Sequence, residues 1–157
     1  DGTGYEGLII RGGAFRDRTP ADPRDLALHM DGAGVFNFTI KRVPPLVRDT
    51  LAFAGVDAAD VDQFVLHQSN RFIMKHLATK CGIPAEKLPF TIEDTGNCGG
   101  PSVAVTLTRC APEPTGRARR VMLVGYGVGL SWGAALVTVS PDAVLVHADY
   151  TGSATKR

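Results

Sequence analysis

The sequence predicts an α/β layered domain built on a mixed sheet. Three observations carry this. Short apolar runs that read as buried strands, such as Phe64–Leu66 and "RRVMLVGYG", alternate with stretches whose apolar residues recur every three or four positions. The stretch after Asn70 has a helix-capping residue at one end and a glycine stop, Gly82, at the other. The last two strands are separated by one tight turn, so an antiparallel hairpin must sit beside strands that are joined through helices.

Taken in order, "GLII" (Gly7 to Ile10) reads as a short strand entering a polar loop, rich in Arg, Asp and Pro, that runs to about Asp25. From Val35 to Ala54 the apolar positions Phe36, Ile40, Val43, Val47, Leu51 and Ala54 mark one helix face. Pro44 and Pro45 lie inside that pattern, where each removes a backbone donor and is expected to kink or split the helix. "AGVDAADVD" is a connection with a short helical turn. The strand Phe64–Leu66 follows, and Asn70 then caps a helix burying Met74, Leu77, Ala78 and Cys81, with Arg71, Lys75, Thr79 and Lys80 on its wet side. "LPFTI" is expected to be a short strand running into the turn "EDTGNCGG". Pro101 suits the first position of another helix, with Val103, Leu107 and Cys110 on one face. "RRVMLVGYG" and "SWGAALVTVS" are strands. Residues 141–157 are expected to add an edge strand before a disordered tail.

Composition narrows the classes of function. The chain has 157 residues, 44% hydrophobic and 21% charged, as in a globular domain able to bury a core. No run approaches the roughly 18 apolar residues of a membrane span, and "DGTGYEG" does not read as a signal peptide. A net charge of +1 gives no case for nucleic acid as a partner. Cys81, Cys98 and Cys110 are odd in number and lack CxxC spacing, which argues against zinc or a disulfide framework and fits a reducing cytoplasm.

His67 is the first candidate for chemistry. A lone histidine is more often structural, but this one stands where a strand ends and a helix begins, the place where α/β sheets bind ligands. The helix starting at Asn70 directs partial positive charge toward it, favouring neutral imidazole, which can donate one hydrogen bond to a carbonyl or enolate oxygen. Asn97 in "TGNCGGP" is by default a turn residue tolerating left-handed angles. Its alternative role is a second donor beside His67, the two converging on one oxygen. "GYGVGLSWG" invites a dinucleotide-binding reading, but its spacing is GxGxG and a strand follows, so that reading fails. Its glycines instead let backbone N–H groups approach a ligand closely.

Four segments in register, "MDGAGVF", "HQSN" with its apolar helix, "TGNCGGPS" and "GYGVGLSWGAALV", resemble the C-terminal half of β-ketoacyl-acyl-carrier-protein synthase III, a thiolase-superfamily condensing enzyme. The resemblance covers nearly all of the chain. It implies a thiolase-like half with a layered five-stranded mixed sheet and helices on both faces, packed in the whole enzyme against an N-terminal half, in subunits that pair as dimers. It implies no permanently bound cofactor and no metal. The N-terminal half would supply a cysteine that takes an acyl group from coenzyme A. Malonyl-acyl-carrier protein would then lose CO₂ and attack the acyl thioester. His67 and Asn97 would hold the malonyl thioester oxygen, the backbone near Gly127 and Val128 would bind the second oxyanion, and Tyr126 would line the acyl pocket. Ser69, Asn70 and Arg71 complete the expected substrate contacts.

The cysteine-bearing half is not among these residues, so the chain is expected to be a fragment or one subunit of a split enzyme, inactive alone. Cys98 stands where the family usually has a small hydroxyl residue and is expected to be a small packed side chain, while Cys81 and Cys110 read as core. Arg71 and Phe72 after "HQSN", and Ala33 before "VF", depart from the family pattern near the pantetheine channel and leave the primer open. The run "GRARR" (Arg117, Arg119, Arg120), with Arg71 and Lys75, is either a solvated loop or a contact for an acidic carrier protein. His29, His76 and His147 are read as structural, and Trp132 as core. Two rivals stand beside condensation: a non-catalytic subunit binding an acyl chain or carrier protein, and a relative performing acyl transfer, in secondary metabolism for example, to an alcohol or amine without decarboxylation, with His67 as general base.

Overall fold

The computed structural model describes residues 1–111 and 116–149. The sheet at its centre is made of β3 (Gln63–Leu66), β4 (Arg119–Gly127) and β5 (Ser131–Val139), once β1 (Leu8–Ile10) and β2 (Leu28–Met30) have paired separately. β3 lies parallel to β4, with Gln63 opposite Val121, and β4 pairs antiparallel with β5, with Gly125 opposite Gly133. The sheet is therefore mixed, as expected. The described strands number five, but they form a sheet of three and a hairpin of two instead of one five-stranded sheet.

Two local causes account for that difference. "LPFTI" is not a strand: Pro89 has no N–H to offer a ladder, and its carbonyl and the N–H of Thr91 are claimed by the buried side chain of Gln68. Gln68 Nε2 donates to Leu66 O at 3.0 Å and to Pro89 O at 3.4 Å, and its Oε1 accepts from Thr91 N at 2.9 Å. The segment ends in a single helical turn, α3 (Ile92–Thr95). At the other end of the chain, residues 140–149 form no strand, and the rest of the expected tail lies outside the described residues.

α1 (Gly32–Ala54) begins at Asp31, whose Oδ1 accepts from Gly34 N at 3.0 Å, and runs unbroken through both prolines. Pro44 belongs to its buried face with Thr39, Val43, Val47 and Leu51, so the ring contributes core contact while the helix continues. Ala54, expected on that face, is exposed. α2 (Arg71–Cys81) starts at Asn70, whose Oδ1 accepts from Ile73 N at 2.8 Å, and Gly82 closes it in the left-handed conformation. Its buried residues are Ile73, Met74, Leu77 and Ala78, with Cys81 half-buried against the core.

α1 and α2 cover the sheet face formed by Phe64, Leu66, Met122, Val124 and Tyr126, and these residues make the hydrophobic core. α4 (Ser102–Arg109) lies against β3 and β4 from the other side. Helices thus flank both faces. The inward residues of α4 are Ser102 and Thr106, not the expected Val103, Leu107 and Cys110, which are only half-buried. Thr106 Oγ1 meets Thr91 Oγ1 at 2.8 Å, so a pair of buried hydroxyls satisfies each other there.

Candidate functional site

β3 delivers His67 to the sheet's edge. Its four residues are all buried, and the ladder continues one step past its end, where His67 N donates to Val124 O at 2.8 Å. That bond fixes the backbone from which the imidazole projects. The ring Nδ1 lies 2.6 Å from Ser102 Oγ on α4, and the ring meets Tyr126 edge-on at 5.3 Å between centroids. Tyr126 OH donates to His67 O at 3.2 Å and shares a 2.9 Å hydrogen bond with Ser69 Oγ. Burial lowers the His67 pKa below the ordinary histidine value, against an opposing interaction with the Gly99 backbone. The direction is the one expected, but burial is what lowers the value, and the helix at Asn70 is not among its causes. Burial also pushes the Tyr126 phenol up to about 12, leaving it a neutral hydroxyl.

Asn97 enters from the loop between α3 and α4. The left-handed angles of this loop fall on Gly96 (φ 65°) and Gly99 (φ 69°), while Asn97 itself keeps a negative φ. Its Oδ1 accepts from Gly99 N at 3.0 Å, which closes a turn, and its Nδ2 reaches Ser69 O only at 3.4 Å. The side chain therefore serves the turn with its oxygen and retains a weakly engaged NH₂ group.

Both side chains line one cleft of about 870 Å³. Its wall takes Gly125, Tyr126, Gly127 and Val128 from the end of β4, Trp132 and Gly133 from β5, and Leu8 and Leu28 from the hairpin. A Cβ built on Gly125 or Gly133 would meet no atom within 4 Å, so a side chain there would project into the open space.

Five expected site residues are brought together: His67, Asn97, Tyr126, Gly127 and Val128. Three are not on the cleft wall. Ser69 stands behind it through its bond to Tyr126, Asn70 is engaged as the α2 cap, and Arg71 pairs with Glu93 at the surface and packs over the Phe90 ring at 5.5 Å. Cys98 is exposed rather than packed, since the turn closed by Asn97 directs it outward. Burial raises the Cys81 thiol to about 11 and Cys110 above its usual value. Among the described residues no group of three or more His, Cys, Asp or Glu gathers to hold a metal ion, and no described helix is long and apolar enough to cross a membrane. In the basic run, Arg117 pairs with Asp62 and holds its carboxyl below the usual range, Arg120 N donates to Asp62 at 2.8 Å, and the Arg120 guanidinium lies 4.0 Å from Asp60. Two of its three arginines thus face the chain's own acids.

Sequence reasoning missed Ser102, Gln68 and the contribution of Leu8, Leu28 and Trp132 to the cleft. Ser102 and Thr106 carry a legible signal, two small hydroxyls at helical spacing. The hairpin residues carry none.

A mixed α/β sheet ending in a histidine beside an asparagine-bearing loop defines a class, and comparison with known proteins gives its family. Residues 51–139 match the family described as 3-oxoacyl-[acyl-carrier-protein (ACP)] synthase III C terminal, and the chain belongs to it. It is 33% identical over 128 residues to β-ketoacyl-[acyl-carrier-protein] synthase III of Streptococcus pneumoniae (strain Hungary19A-6), an alignment covering 80% of this chain and 39% of that protein. The chain thus spans about two fifths of the length of the curated relatives it matches. Its fold, the thiolase-like α/β one, is similar to that of 3-oxoacyl-(acyl-carrier protein) synthase from Burkholderia xenovorans LB400, with a TM-score of 0.84 and 37% identity over 93% of this chain and 44% of that one. The priming β-ketosynthase of the R1128 polyketide biosynthetic pathway is also similar, with a TM-score of 0.78 and 32% identity over 90% of this chain and 43% of that one.

Proposed function

We propose that this domain supplies the decarboxylation half of an active site for Claisen condensation between an acyl-coenzyme A primer and malonyl-acyl-carrier protein in fatty-acid biosynthesis. The observation that carries the proposal is the pair of uncharged donors, His67 and the Asn97 amide, on one cleft wall. As the malonyl carboxylate leaves as CO₂, the electrons of the broken C–C bond pass into the thioester and its oxygen becomes an enolate. His67 and Asn97 Nδ2 hold that oxygen. The carbanion then attacks an acyl thioester carried by a cysteine of the N-terminal half, the new C–C bond forms, and the thiolate departs. The N–H groups near Gly127 and Val128 receive the oxyanion of that second step, and Tyr126 bounds the acyl chain. No thiol lines the cleft among the described residues, and in this reading the nucleophile comes from the cysteine-bearing half. In this reading the whole enzyme is a cytoplasmic homodimer whose substrates arrive as coenzyme A and carrier-protein thioesters, with no cofactor held permanently.

The test joins the chain to its cysteine-bearing half and follows malonyl thioester decarboxylation. His67→Ala and Asn97→Ala should each lower the rate by about 10²–10³ while the fold persists. Full decarboxylation by folded His67→Ala enzyme would refute the assignment. The likeness to a polyketide priming ketosynthase favours one second reading, condensation onto a starter unit in secondary metabolism. Product analysis with a panel of acyl-coenzyme A primers separates the two.

A further inference from the structure

To hold the thioester oxygen His67 must donate a hydrogen bond, yet a neutral imidazole donates from only one nitrogen, and something must select which. The candidate selector is the Ser102 hydroxyl, 2.6 Å from Nδ1. Ser102 is fully buried, so water is no partner for its proton. Its oxygen already lies 3.4 Å from the Gln68 N–H, which it accepts. Gly99 O takes the N–H of Ser102 itself at 3.1 Å, and among the described residues no hydrogen bond runs from Ser102 Oγ to it. His67 Nδ1 is the one acceptor within hydrogen-bond geometry for the hydroxyl proton among the described residues. Were Nδ1 protonated instead, Ser102 Oγ would accept from two donors and its own proton would be buried with no acceptor, an arrangement folded proteins rarely contain.

We infer that Ser102 is a positioning residue: its hydroxyl donates to His67 Nδ1 and fixes the imidazole as the Nε2–H tautomer, the form that offers an N–H to the cleft. The inference rests on the reading of His67 as a donor to the thioester oxygen, and it also sets that reading apart from general-base catalysis, which needs an unprotonated nitrogen facing the substrate. Ser102 sits at the start of α4 and Gln68 directly follows His67, so strand end, helix start and ring are coupled through one hydroxyl.

The tautomer is measurable without turnover. With ¹⁵N-histidine, the chain gives signals from four residues, and His67 is assigned by its loss in His67→Gln. The expected result is a proton on Nε2 and none on Nδ1. Ser102→Ala should change the tautomer balance and Ser102→Thr, which keeps the hydroxyl, should restore it, with circular dichroism confirming that both are folded. An Nδ1–H ring in the unsubstituted protein overturns the inference whatever the variants do, and so does a Ser102→Ala spectrum identical to the parent. In enzyme joined to its cysteine-bearing half, Ser102→Ala should lower kcat for decarboxylation about tenfold with KM unchanged. If the tautomer shifts and kcat does not, Ser102 keeps its role on the ring and the decarboxylation reading of His67 falls instead.

Discussion

His67 sits where burial and exposure meet, and its protonation follows from that. Its pKa in the fold lies below the 6.5 of an ordinary histidine, so on acidification the unfolded chain binds a proton before the folded one does. This contribution to stability is complete above about pH 6.5 and is lost as pH falls through the folded pKa. The guanidinium midpoint of unfolding should therefore be lower at pH 5 than at pH 7.5, and His67→Gln should flatten that difference. Thiols give a second residue-level test. Cys98 is exposed, whereas burial raises Cys81 to about 11, so iodoacetamide at pH 7.5 should label Cys98 first, as read by mass spectrometry of digested protein. At this scale the sequence showed His67 and Asn97 because a strand end and a glycine-flanked turn are local features. Ser102 stayed hidden because its importance is a distance of 2.6 Å across 35 residues of chain.

Among the elements, α2 was the most legible, since everything that defines it is local: a side-chain cap, four inward apolar residues and a glycine stop. Asn70→Ala should cost about 0.5–2 kcal/mol by removing the 2.8 Å bond to Ile73 N, and Leu77→Ala, at a fully buried site, about 2–5 kcal/mol. Urea titrations of the two variants check both figures. "LPFTI" was misread because its apolar residues fit a strand while Gln68, 20 or more positions earlier, takes up its backbone groups. Replacing the Gln68 amide with an apolar group strands those partners. Gln68→Leu should destabilise by about 1–3 kcal/mol, more than its hydrophobicity would suggest. β2 was overlooked for the opposite reason: Leu28, His29 and Met30 are all exposed, so no alternation marks them. In α4 the buried face is made of hydroxyls, Ser102 and Thr106, which apolar periodicity does not mark.

For the molecule as a whole, the division between core and cleft wall has a clear consequence. Among the described residues the main hydrophobic cluster draws on Phe36 onward, while the β1–β2 hairpin buries Ile9 apart from it, contributes Leu8 and Leu28 to the cleft and exposes Ile10, Leu28 and Met30. Removing residues 1–30 should therefore leave cooperative unfolding, with a smaller shift in midpoint than Leu77→Ala gives, yet weaken the binding of an acyl thioester that the proposed function expects. Calorimetry on the shortened chain tests both halves of the statement. Trp132, the chain's single tryptophan, stands on the wall of that same cleft, edge-on to Phe38 at 5.5 Å and 5.1 Å from the Arg42 guanidinium. Excitation near 295 nm thus illuminates one indole at the place where a guest would displace solvent, and the protein carries its own optical gauge of occupancy, with no dye to attach.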